Sequence, residues 1–185
     1  MGSTERALEL AFRHLGRRDR TEAELRRHLA AKDVDEAEAD AAIAELVRMG
    51  YADDGRYART FAEDRRKLDG WGNERIERKL VALGVDPELI AAALGDRDGA
   101  GELDAALELL QRRFADAVPA SERERERALG MLVRKGYELE LAYDAVRAFE
   151  RGMAADTNPR AVAAVRCFGD AARPRDPAAP AGPAA

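Results

Sequence analysis

Nucleophiles and metal ligands are scarce in this sequence, and their scarcity removes whole classes of activity. There is one cysteine, Cys167, so no intramolecular disulfide can form. The only histidines are His14 and His28, and the only serines are Ser3 and Ser121. A hydrolytic triad lacks its parts, and one cysteine with two histidines at no ligand spacing makes a poor zinc site. Gly70-x-Gly72 lacks the third glycine of a dinucleotide fingerprint and follows a helical stretch where that fingerprint needs a strand; no Walker sequence occurs. The expectation is therefore no catalytic residue, no cofactor and no metal.

Long apolar runs are missing too, since charges interrupt every alanine-rich stretch before it reaches the roughly eighteen residues of a membrane span. Nothing before Thr4 and Glu5 has the form of an export signal, and with the lone cysteine this points to a reducing cytoplasm. An excess of positive charge is also absent. With 31 basic and 36 acidic side chains the net charge is −5, so the molecule repels polyanions at long range and any nucleic-acid contact must rest on a local patch.

What the chain has is one helical pattern written three times. Leu25, Leu29, Val34 and Ile43 reappear as Ile76, Leu80, Val85 and Leu94, and again as Ala128, Leu132, Tyr137 and Val146, at a period of about fifty residues. Units of that size are near the limit for holding a private core, so they should stabilise one another by stacking. The expectation is an all-α, elongated and curved array of three tandem three-helix, helix-turn-helix-like repeats. Their expected bounds are 4–50, 51–95 and 101–150, with 151–185 a low-complexity, disordered tail.

Local signals mark the helices. Thr21 with Glu24, and Ser121 with Glu124, have the form of capping boxes. Asp35 opens a third helix, Asp53 or Asp54 a fourth, and Asp86-Pro87-Glu88 another. Tyr57, Ala58, Phe61, Ala62 and Leu68 should share one side of the fourth, which Gly70-Trp71-Gly72 breaks; Asn73 is expected to cap the next, and Gly84 to end it. Gly95 to Gly101 is the candidate hinge, and Pro119 marks a further loop.

The basic residues differ between copies. Arg75, Arg78 and Lys79 lie a turn apart on a face other than that of Ile76 and Leu80, with Arg65, Arg66 and Lys67 just before the glycine turn. The matching stripe is Glu24, Arg27 and His28 in the first copy and Arg127, Gly130 and Met131 in the third. Glu63, Glu74 and Glu77 could make this a balanced, solvated surface; the other reading is contact with phosphates or an acidic protein groove. Trp71 between its two glycines either packs back on a helix junction or projects as an anchor.

The ordered set Tyr51-x-Asp53-Asp54-x-x-Tyr57-Ala58-x-x-Phe61, Gly70, Arg75-Ile76, Lys79-Leu80 and Gly84-Val85, followed by Arg134-Lys135-Gly136-Tyr137, resembles the RecX family of small RecA regulators. The resemblance spans about Ala7 to Phe149. It implies a non-enzymatic monomer that lodges in the groove of the RecA filament on single-stranded DNA, limiting filament growth, ATP hydrolysis and strand exchange in DNA repair, recombination and the SOS response. On that reading Arg65, Arg66, Lys67, Arg75, Arg78 and Lys79 are the candidate filament or DNA contacts. Direct DNA binding should be weak and salt-sensitive because the chain is acidic. The competing reading is an independent helix-turn-helix DNA-binding protein, against which the absence of a base-reading helix dense in arginine, asparagine and glutamine counts.

Overall fold

The computed structural model describes residues 3–95, 98–114 and 121–156, and the described residues form nine α-helices and no strand. They group in threes. Unit one holds α1 (Ser3–Leu15), α2 (Glu22–Ala30) and α3 (Glu36–Arg48); unit two α4 (Asp54–Asp64), α5 (Asn73–Leu83) and α6 (Pro87–Gly95); unit three α7 (Gly99–Arg113), α8 (Glu122–Lys135) and α9 (Leu139–Asp156). No described helix is long and apolar enough to cross a membrane.

Each unit closes its own apolar core. Leu25, Leu29, Ile43 and Leu46 are buried with Ala7, Ala11, Ala39, Ala42 and Ala52 in the first. Ile76, Leu80, Val85 and Ile90 do the same in the second, and Leu110, Leu132, Tyr137, Val146 and Phe149 in the third. Ten of the twelve positions that repeat in the sequence are thus buried, Val34 and Leu94 packing partly exposed against their cores, and each fully buried leucine or isoleucine contributes about 2 kcal/mol. Alanine at many helix contacts lets the backbones approach closely, which suits a chain with few aromatics.

The second helix of every unit ends alike. The Val34, Val85 and Tyr137 amides donate to the Leu29, Leu80 and Leu132 carbonyls, each at 3.2 Å. A residue with positive φ precedes each donor: Asp33 (57°), Gly84 (84°) and Gly136 (90°). This reversal satisfies carbonyls the helix would leave open and drops the next side chain into the core.

The units are joined by hydrogen bonds between these second helices. At the first junction the buried Thr21 hydroxyl accepts from the Glu24 amide (3.1 Å) and donates to the Leu83 carbonyl at the end of α5 (2.8 Å). The Glu22 amide donates to Asp54 Oδ1 of α4 (2.9 Å). At the second junction the Gly72 and Glu74 amides donate to the Lys135 and Gly136 carbonyls at the end of α8 (2.9 and 3.1 Å), and the Asn73 amide to Glu102 Oε1 of α7 (2.7 Å). In both, a carboxylate from the next unit's first helix meets a helix N-terminus, where free amides and the helix dipole favour negative charge.

Several expectations are corrected. Asn73 does not cap α5: it is the first helical residue, the cap position is Gly72, and Glu102 from unit three takes the role. Asp53 caps α4 through the Arg56 amide, while Asp54 turns to unit one. Leu68 does not join the buried side of α4. Residues Arg65–Asp69 widen into a π-helical turn that breaks the 3.6-residue register, and Leu68 is 79% exposed. The candidate hinge narrows, since α6 runs to Gly95, Asp98 caps α7 and Gly99 to Gly101 are helical; residues 96–97 lie outside the described residues. At the other end α9 continues through Asp156, past the expected start of the tail at 151, while Pro119 and the rest of the tail lie outside the described residues.

Candidate functional site

The second junction carries an open basic groove of about 440 Å³ lined by Trp71, Arg75, Arg78, Lys79 and Arg134. Its floor follows from the close approach of two backbones. A Cβ on Gly72 would overlap the Gly136 carbonyl, and one on Gly136 would overlap Arg75, so two glycines let α5 begin directly against the end of α8. Trp71 is thereby held at the rim, half-buried. Its ring meets Phe61 edge-on with centroids 6.3 Å apart. The Arg75 guanidinium lies 4.2 Å from the Trp71 centroid while its Nη1 donates to the Arg134 carbonyl at 2.9 Å.

The six basic residues picked out in the sequence separate into two groups. Arg75, Arg78 and Lys79 line the groove, Arg78 Nε also donating to the Glu74 carbonyl (3.2 Å). Arg65, Arg66 and Lys67 face other tasks. Arg65 pairs with Asp69 (2.6 Å) and sits 5.2 Å and 5.5 Å from the Phe61 and Trp71 ring centroids. Arg66 donates to Asn73 Oδ1 (2.9 Å) and to the Leu94 carbonyl (3.2 Å), tying the π turn to α5 and α6. Lys67 forms an exposed pair with Glu63 (3.1 Å), worth little in water.

Sequence reasoning missed Arg134, which joins the groove from the next unit, and Lys135, whose Nζ donates to the Asp69 carbonyl (2.6 Å). The signal was present in Arg134-Lys135-Gly136, since a helix C-terminus held against the start of α5 must bring its last basic turn with it. Nor is the basic surface confined to the middle unit. A second pocket of about 340 Å³ in unit one is lined by Leu10, Arg13, His14, Arg17, His28 and Lys32.

Among the described residues no group of three or more histidine, cysteine, aspartate or glutamate side chains could hold a metal. The fold defines a tandem helical-repeat protein, and its candidate binding groove spans a junction between repeats. Residues 7–46, 53–94 and 100–146 match the first, second and third three-helix domains of RecX. The chain is 39% identical over 134 residues to the regulatory protein RecX of Trichlorobacter lovleyi, covering 71% of this chain and 87% of that one. It is 33% identical over 144 residues to RecX of Amycolatopsis mediterranei (77% and 82% covered). The crystal structure of RecX from Lactobacillus salivarius shares the fold at a TM-score of 0.70 and 18% identity, over 80% of this chain and 97% of that one. The chain belongs to the RecX family of regulatory proteins.

Proposed function

We propose that this protein restrains RecA as a non-enzymatic monomer in the cytoplasm, binding the RecA filament on single-stranded DNA and limiting its growth, ATP hydrolysis and strand exchange. The observation that supports this reading best is the groove at the second junction. There an arginine-stacked tryptophan and four cations from two units share one open surface. Stacked aromatic and guanidinium planes beside free cations suit a phosphate backbone with its bases, or an acidic filament surface. Contacts repeated along a polymer add through effective concentration, so each can be weak.

The test is RecA ATPase on single-stranded DNA with this protein titrated in. Inhibition near stoichiometry is expected, and Arg75→Glu with Lys79→Glu should weaken it about tenfold or more, as reversal of two contact charges does. Lys67→Glu, which removes a cation held by Glu63 away from the groove, should change it little. No effect of the unaltered protein sinks the reading. Tight duplex DNA binding at physiological salt without RecA would favour the independent DNA-binding alternative.

A further inference from the structure

The histidines of this chain are stacked on one another. The His14 ring near the end of α1 and the His28 ring on α2 lie 3.9 Å apart between centroids, with planes 5° from parallel. They form the wall of the pocket that Arg13, Arg17 and Lys32 complete. Arg13 is engaged by Glu9 (2.7 Å), but Arg17 and Lys32 make no ion pair among the described residues. Arg18 and Arg20, from the same loop, are both held by Glu24 (2.6 and 3.2 Å). On α3, which packs against both helices, Asp40 is taken by Arg26 (2.8 Å).

Cations therefore dominate around the imidazoles. Glu24, the acidic group that acts on His14, already serves the Thr21 cap and two arginines. The repeat adds a second argument, because His28 stands where the middle unit has Lys79 of the basic groove. The equivalence holds for the first two units, Met131 standing there in the third, and a polyanion that meets Lys79 on one unit would meet the cation-lined His28 pocket on its neighbour.

We propose that this pocket is a phosphate subsite for the backbone of a single-stranded nucleic acid, in which Arg17, Lys32 and the stacked His14–His28 pair hold a phosphodiester, with proton uptake by the pair. The chemistry is consistent with the stack. Two neutral imidazoles stack without repulsion, whereas two imidazolium rings repel unless an anion lies against them. Each ring that gains a proton presents two N–H donors. Burial lowers both histidines from their ordinary value of 6.5; next come His28 and Arg20 for His14, and Lys32, Arg20 and Arg17 for His28. A bound phosphate opposes that depression, so binding and protonation strengthen each other. The inference does not depend on RecA binding.

The test uses the full chain with labelled histidine, whose two rings give two sets of NMR signals, and a dT oligonucleotide as probe at pH 7.5 and pH 6. Both rings should shift on addition, both titrations should move to higher pH, and affinity should rise about threefold or more at pH 6, as partial uptake of one proton gives. Arg17→Glu with Lys32→Glu should abolish the ring shifts with helical circular dichroism intact. The groove variant Arg75→Glu with Lys79→Glu should retain them even if overall affinity falls. Unmoved rings at saturating oligonucleotide overturn the proposal. So does movement with inorganic pyrophosphate but not the oligonucleotide, or equal movement with poly-glutamate, which would mark a small-anion or an acidic-protein site.

Discussion

The two junctions between units obey one rule with different chemistry. At the first, the buried Thr21 side chain caps α2 and reaches the end of α5 by itself. At the second, Gly72 has no side chain to offer, so the α5 backbone touches the end of α8 directly and the cap is borrowed from Glu102. A threonine junction caps its helix from within and adds the Asp54 carboxylate beside that cap. A glycine junction is tighter, and it leaves Trp71, Arg75 and Arg134 at its edge, where the candidate site forms.

The comparison can be broken most severely at its glycines. Gly136→Ala meets both a φ of 90° and the Arg75 side chain and backbone, and Gly72→Ala meets the Gly136 carbonyl. Each should cost about 3 kcal/mol, the upper part of the range for overpacking a tight contact. Urea unfolding followed by circular dichroism would measure it, and a loss under about 1 kcal/mol would show the junction to be looser than described. Thr21→Val keeps the shape but removes the cap and the bond to the Leu83 carbonyl. A loss of about 2 kcal/mol is expected in the same assay.

The smallest effect should come from Asp54→Asn, whose amide oxygen can still accept from the Glu22 amide. Within about 1 kcal/mol at pH 7, it serves as a probe of charge. Burial is the main cause that raises the Asp54 carboxyl above its ordinary 3.8, followed by opposition from the Glu22 hydrogen bond and then repulsion from Asp53. A raised value means the folded state binds the proton more tightly than the unfolded chain does. The stability this lends is complete below 3.8 and lost as pH rises through the raised value. Wild type should therefore lose ground to Asp54→Asn across that acidic window, as would be read from unfolding midpoints between about pH 3 and pH 6. The neighbouring Glu22 carboxyl, raised first by burial and then by Asp54, should fall in the variant.

The scaffold was legible because its signals are local. Thr21 with Glu24 and Ser121 with Glu124 form their capping boxes, Gly84 takes the left-handed conformation, and the repeated apolar positions are buried except Val34 and Leu94, which pack partly exposed against the cores. The candidate site was only half legible. Arg75, Arg78 and Lys79 share a face by helix periodicity, and the structure places them together. Periodicity cannot announce that Glu102 caps a helix 29 residues earlier, or that Arg134 contacts a side chain 59 residues back. It also assumes a constant turn, which is why the π turn carries Leu68 outward unforeseen. The histidine stack escaped notice for the same reason, since His14 and His28 meet only once a loop has folded α2 back along α1.

One consequence of the end-to-end linkage of α2, α5 and α8 concerns how such a chain can change in length. Each second helix is bonded at its start to the end of the next, so the joint accepts a whole further unit but not a fraction of one. The start of α8 differs from that of α5: it carries its own exposed capping box at Ser121, and the helix runs 14 residues against 11. The reach of this protein is therefore quantised in steps of about fifty residues. Insertions of a few residues within a second helix should be purged, whereas duplication of an entire repeat would keep every bond in place.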